Sequence, residues 1–152
     1  MEIYQLQSRR FYAFLEESAC AKMRKLRQLE SDDSEAGGIL IGETRPESLA
    51  VTEVTTPQTN DRRGRFFFNR QSDGHQQPVQ IRWQESGGEL DYIGEWHTHP
   101  EVHPSPSFID KAGWILRSLK AGRPLLVVIV GQEKNYVALQ DGLRLEEMLP
   151  CK

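Results

Sequence analysis

"GEWHTHPEVHPSPSFID", residues 94–110, places three of the chain's four histidines within seven positions and ends on Asp110. The overlapping stretch "LDYIGEWHTHP" is strand-like and stops at Pro100. Side chains two apart on a strand leave from one face, so His97 and His99 aim at a common point. Two neutral imidazoles placed this way form half of a tetrahedral zinc shell. "EVHPSPS" gives the chain room to return, and "SFIDKAGWILRSLKAG" reads as a helix with Asp110 in its first turn. Asp110 can then add an oxygen ligand. Two histidines and one carboxylate leave a fourth position for water, as in catalytic rather than structural zinc sites.

The same residues carry other readings. Ser107 and Asp110 form S-x-x-D, the capping box of a helix start. That use is compatible with metal binding, since a cap would hold Asp110 in place. His103 completes H-x-H-x3-H, a possible three-histidine shell, but it follows Pro100, where strand alternation no longer sets direction. A hydrolytic site also needs a general base. Glu95 shares the strand face of the histidines, Glu101 lies in the loop, and Glu35 precedes the glycine pair Gly37-Gly38. Spacing leaves these three open.

Around this segment the chain reads as alternating strands and helices. Residues 8–30 have Phe11, Phe14, Leu15, Ala19, Met23 and Leu26 at helical spacing. "AGGILIGE" and "SLAVTEVTTP" read as strands, "TNDRRGR" as a loop and "FFFNR" as a third strand. "PVQIRWQES" predicts a short helix ended by Gly87-Gly88. In the helix after Ser107, Phe108, Ala112, Ile115 and Leu119 share an apolar face, and Gly122 lies near its end. "RPLLVVIVG" is a central strand by its unbroken apolar run, and "NYVALQDGLRLEEM" is a hairpin turning at Asp141-Gly142. The expected fold is mixed α/β, a central mixed sheet flanked by helices, with residues 1–152 forming one domain.

Composition narrows the function. Charged residues make up 27% of the 152 and hydrophobic ones 38%, which is globular. A formal net charge of −3 gives no expectation of nucleic-acid binding. No apolar run reaches membrane-spanning length, the N-terminus lacks a signal-peptide core, and Cys20 and Cys151 show no disulfide or metal spacing. A cytoplasmic enzyme or adaptor is expected.

"HTHPEVHPSPSFID" fits H-x-H-x7-S-x2-D, and "EAGGILIG" fits E-x-G-G-x-L-x-G some sixty residues earlier. Together they resemble the JAMM (MPN+, JAB) zinc metalloproteases, whose fold is the cytidine-deaminase-like MPN domain. The resemblance implies that His97, His99 and Asp110 bind one zinc, with water as the fourth ligand. It implies Glu35 as the general base and Ser107 as the hydroxyl that stabilises the oxyanion, which selects Glu35 over Glu95 and Glu101. Trp96 and Trp114 are expected in the core near the site.

"SEAGGILIGE", "GEWHTHPE" and "PSPSFIDKAGW" look like the bacterial JAMM proteins of mobile elements and CBASS antiviral operons. That similarity implies an isopeptidase acting on a protein conjugated through its C-terminus, such as a cGAS-like nucleotidyltransferase, with an E1–E2-like protein as operon partner. Two other functions suit the same sequence: C-terminal trimming of a ubiquitin-like sulfur carrier, and a noncatalytic MPN scaffold. Residues 57–75 are expected to correspond to the family's substrate-gripping insertions. Arg62, Arg63, Arg65 and Arg70 there either contact an acidic substrate surface or form a solvated basic loop. His75 and His103 are expected in solvent.

Overall fold

The computed structural model describes residues 1–71 and 74–152. Its elements run β1 (Glu2–Gln5), β2 (Tyr12–Leu15), α1 (Glu17–Lys25), β3 (Gly37–Arg45), β4 (Ser48–Val54), β5 (Arg62–Gly64), β6 (Phe67–Asn69), α2 (Gln76–Glu85), β7 (Asp91–Thr98), α3 (Phe108–Ala121), β8 (Leu125–Val130), β9 (Asn135–Asp141) and β10 (Arg144–Pro150). Eight strands form one mixed sheet, ordered β1-β10-β9-β8-β7-β3-β4-β2, that closes on itself through β1 and β2. The β2–β4 and β7–β8 pairs are parallel and the rest antiparallel. β5 and β6 form a separate hairpin. The mixed α/β class expected from the sequence is the one observed.

Strand alternation sorts the apolar residues onto two sides. Leu126, Val128 and Val130 of β8 join the large core that includes Ala19, Cys20 and Met23 of α1. Val127 and Ile129 point the other way, onto Trp114 of α3. Every residue of β8 is therefore buried, which explains its unbroken apolar sequence. Ile39 and Ile41 of β3 receive Val79 of α2 on the same outer side. Each such fully buried aliphatic side chain contributes about 1.5–3 kcal/mol.

Two sequence expectations change. Residues 8–30 are not one helix: Tyr12–Leu15 is a strand, and the helix covers only Glu17–Lys25. Phe11, Ala13 and Leu15 are buried at period two, and β2 bridges β1 and β4 to close the sheet. That strand pairing is nonlocal and overrides the local helical spacing. Second, the apolar stripe of α3 faces outward. Phe108 is 86% exposed and Leu119 58%, while Trp114 and Ser118 are buried. The inward stripe of α3 is Asp110, Gly113, Trp114 and Arg117, at i, i+3, i+4 and i+7, and all four line one cleft. α3 is thus turned to present a carboxylate to that cleft.

Candidate active site

Three segments converge on a cleft of about 520 Å³: the approach to β3, the end of β7 and the start of α3. Thr98 holds the first two together. Its N–H donates to the Ala36 carbonyl at 2.8 Å, and its Oγ1 accepts the Ala36 N–H at 2.9 Å. The Thr98 hydroxyl donates in turn to Oε1 of the fully buried Gln28. Glu35 is thereby fixed beside the two histidines that flank Thr98.

The glycine pair after Glu35 has a steric cause. A Cβ at Gly37 would lie 2.7 Å from both the Phe68 ring and the Trp96 carbonyl, and one at Gly38 would lie 2.2 Å from the Thr55 carbonyl. Neither position tolerates a side chain without displacing the strands that carry the site. Trp96 and Trp114 are buried beside it, as expected, with Trp114 6.0 Å ring to ring from His97.

The expected donors meet. His97 Nε2 and His99 Nε2 are 3.1 Å apart. Asp110 brings Oδ1 to 3.4 Å from His97 Nε2 and Oδ2 to 3.2 Å from His99 Nε2. A tetrahedral zinc with ligands at about 2.0–2.1 Å has ligand–ligand edges of about 3.3 Å. The two imidazole nitrogens are separated by about such an edge, and Asp110 sets one oxygen against each of them at a similar distance, so these residues fit a metal. Glu35 faces the same two imidazoles: its carboxylate and the two rings offer atoms all within 4.8 Å of one another, a group that does not include Asp110.

Electrostatics follow from this crowding. Burial pushes the Glu35 carboxyl up to about 7; the His99 imidazole opposes the rise and the Asp110 and Glu101 carboxylates reinforce it. For Asp110, burial favours the neutral form, but hydrogen bonds from His97 and His99 outweigh it and hold the carboxyl well below its usual range. For His99, burial works against the charged ring, and the carboxylates of Asp110 and Glu101 overcome it and raise its pKa.

Ser107 caps α3 as its sequence suggests. Its Oγ accepts the Asp110 N–H at 3.1 Å, and Asp110 Oδ2 accepts the Ser107 N–H at 2.9 Å. Because Oγ accepts that bond, its own proton remains available to the cleft it lines. The capping bonds leave Asp110 facing both imidazoles.

The three glutamates differ in their partners. Glu95 Oε2 accepts from Arg70 Nη2 at 2.6 Å and the Tyr92 hydroxyl at 3.0 Å, and forms an ion pair with Arg117 Nε at 2.9 Å. Tyr92 reaches it because the β3–β7 register skips Ile93, which brings residues 92, 95 and 97 to one face. Glu101 Oε1 is taken by His99 Nδ1 at 2.7 Å. The Glu35 carboxylate makes no hydrogen bond among the described residues and is 4% exposed. It alone of the three is unengaged.

The basic segment departs from expectation. Arg63 Nε donates to the Glu35 carbonyl at 2.8 Å, Arg65 Nη1 to the Glu30 carbonyl at 3.0 Å, and Arg70 pairs with Glu95. Gly64 accepts the Glu35 N–H at 2.6 Å, so the β5–β6 hairpin grips Glu35 from both sides of its peptide. Three of the four arginines thus hold other segments: Arg63 supplies a donor to the carbonyl of buried Glu35, Arg65 ties the hairpin to Glu30 and Arg70 pairs with a carboxylate; Arg62 and Arg63 are both exposed. Ser72 and Asp73 of this segment lie outside the described residues.

His75 is fully buried rather than in solvent. Its Nδ1 is 2.6 Å from Thr55 Oγ1 and its Nε2 2.6 Å from Asp61 Oδ2. Thr55 Oγ1 already accepts the Ile39 N–H, so its proton goes to Nδ1 and His75 Nε2–H donates to Asp61. Buried polar atoms that pair completely cost little, which is why a loop histidine can sit in the core. His103 is exposed, as expected, and takes no place among the donors. Glu101, Thr98 and Gln28 were missed as supporting residues. Only the H-x-E spacing of His99 and Glu101 was a usable signal.

A profile of prokaryotic homologues of the JAB domain matches residues 16–141. The chain belongs to this family. As a JAB protein it is a hydrolase of the isopeptidase and metalloprotease kind. A CD-NTase/cGAS isopeptidase of Escherichia coli is 39% identical over 116 residues, covering 76% of this chain and 74% of the relative. One from Vibrio cholerae is 35% identical over 120 residues, covering 79% and 76%. A probable metalloprotease of Sinorhizobium fredii is 30% identical over 111 residues, covering 69% and 68%. A solved structure from Desulfitobacterium hafniense shares the fold of this JAB domain, with TM-score 0.61, 21% identity and coverage of 89% and 88%. No helix among the described residues is long and apolar enough to cross a membrane.

Proposed function

We propose that this chain, read as one JAB domain over 1–152, is a cytoplasmic zinc-dependent isopeptidase that releases a protein conjugated through its C-terminus. His97, His99 and Asp110 hold the metal in this reading, Glu35 is the general base, and Ser107 supplies a hydrogen bond. The observation that carries it is the pair of imidazole nitrogens 3.1 Å apart, each faced by one Asp110 oxygen at 3.4 and 3.2 Å, with the unengaged Glu35 beside them. Zinc bound there would act as a Lewis acid and make a coordinated water acidic near neutral pH.

The remaining chemistry belongs to the chain. Glu35 takes the proton from the attacking water and passes it to the leaving amine nitrogen. Burial of the Glu35 carboxyl favours the protonated form, which suits a group that must hold the proton between the two transfers. The free Ser107 proton donates to the carbonyl oxygen as it gains charge, a fixed donor where charge develops. Removing water and ordering the peptide fall to the cleft walls, where Phe66, Phe67 and Ile109 are 76%, 50% and 81% exposed. An apolar mouth of this kind suits a protein tail.

The substrate follows from the relatives, whose names specify a CD-NTase/cGAS isopeptidase. A cGAS-like nucleotidyltransferase joined by its C-terminus, by an E1–E2-like partner, is the proposed conjugate. The intact donor set favours this over a noncatalytic scaffold. The test is metal content by elemental mass spectrometry together with cleavage of a nucleotidyltransferase conjugate. About one zinc per chain and release of free nucleotidyltransferase are expected. Zinc without cleavage of that conjugate, but with trimming of a ubiquitin-like sulfur carrier, would transfer the activity to maturation.

A further inference from the structure

The larger cavity of the molecule, about 890 Å³, does not contain the histidines. It lies between α2 and α3 over the outer face of β3 and β7, with Tyr92, Trp83, Lys120 and Arg123 on its walls. Arg70 and Arg117 line both this groove and the active-site cleft, so the two are continuous through that pair. We propose that the groove binds an acidic, aromatic-bearing segment of the conjugated protein while the scissile tail occupies the cleft. This rests on the isopeptidase reading and adds to it the feature by which the substrate is chosen.

Charge is the first support. Arg70, Arg117, Lys120 and Arg123 line the groove or its junction, while Glu95 pairs with the first two and Asp91 with Arg123. Four cations against two carboxylates leave a surplus of two, on a chain whose formal net charge is −3. Lys120 makes no ion pair among the described residues. Such a local inversion of sign attracts an acidic partner.

The second support is an anchored guanidinium. Arg123 Nε is buried and has no partner among the described residues, although its Nη2 donates to the Tyr92 carbonyl and its Nη1 to Asp91. Nε itself lies out of a ligand's reach, but the side chain is 38% exposed, so a guanidinium anchored by Tyr92 and Asp91 presents its charge to the groove. The third is the junction itself. A Cβ at Gly113 would lie 2.9 Å from Arg117 Nη1, so glycine there lets the guanidinium lie along α3 between cleft and groove. Trp83, 51% exposed on the opposite wall, offers an aromatic face beside these cations.

The test uses the full chain carrying Glu35→Gln, so that binding is read without turnover. The probe is a short fluorescein-labelled peptide rich in glutamate with one phenylalanine, followed by anisotropy. Lys120→Glu and Trp83→Ala change exposed side chains, and their melting curves check the fold. Expected is salt-sensitive binding to the parent, about tenfold weaker in each variant, and none for the peptide with glutamine in place of glutamate. Equal binding by the variants, equal binding of the glutamine peptide, or tighter binding of a single-stranded oligonucleotide overturns the proposal. Conjugate cleavage by the Glu35 enzyme separates the two readings. Absent cleavage with the expected binding pattern leaves the groove and removes the isopeptidase; cleavage with KM unchanged in both variants does the reverse.

Discussion

His99 Nδ1 lies 2.7 Å from Glu101 Oε1, a contact that fixes the ring and directs Nε2 toward His97 and Asp110. A carboxylate behind a ligating imidazole both orients the ring and raises its basicity. Glu101→Ala is therefore expected to weaken zinc binding about 10- to 100-fold while leaving the donors in place. Competition against a chromophoric chelator measures this; unchanged affinity would reduce Glu101 to a surface charge.

His97→Ala and Asp110→Ala are expected to lose the metal, and His103→Ala to keep it, by elemental mass spectrometry on the purified variants. If His103→Ala lost zinc and Asp110→Ala retained it, the three-histidine shell would replace the one proposed. The exposure of His103 and the position of Asp110 between the two imidazoles argue for the first outcome.

Glu35→Gln is expected to retain zinc and lose roughly 10²- to 10⁴-fold in cleavage rate, the range supplied by general acid–base catalysis. Full turnover by this variant would transfer the base to another carboxylate, against the partners that Glu95 and Glu101 already hold.

The metal-free protein gives a pH test of the same residue. The Glu35 carboxyl is raised to about 7 in the fold, above its ordinary value of about 4.3 when unfolded. Between these values the folded chain retains a proton that the unfolded chain releases, so stability falls as pH rises through this window and the loss is complete above about 7. Replacing Glu35 by Gln removes that loss. Metal-free Glu35→Gln should melt higher than wild type at pH 8 and alike at pH 4; an equal difference at both would show that ionisation is not the cause.

Gly38→Ala places a methyl 2.2 Å from the Thr55 carbonyl, a backbone atom that cannot swing aside. The expected cost is about 1–3 kcal/mol, read by denaturant unfolding. Thr55 also binds Ile39 N–H and His75, so its displacement loosens the wall behind β3. A neutral substitution would mean that β3 can shift away without consequence.

Much of this protein is written in short-range pattern. Strand alternation placed His97 and His99 together, the S-x-x-D spacing placed Asp110 at a capped helix start, and the unbroken apolar run of residues 125–130 marked the buried strand. Those readings succeed because the period of a strand or a helix cap is fixed by backbone geometry within a few residues. Tertiary structure decided what depends on distant partners. Tyr12–Leu15 became a strand because β1 and β4 needed a bridge, and α3 turned its apolar stripe outward because Asp110 and Trp114 had to face inward. His75 went to the core because Asp61 and Thr55 could satisfy both ring nitrogens. Spacing left the three glutamates alike, and it is the packed fold that engages Glu95 with Arg70 and Arg117 and Glu101 with His99. A side chain's role is set by which groups reach it, and for residues far apart in the chain that is a property of the packed fold.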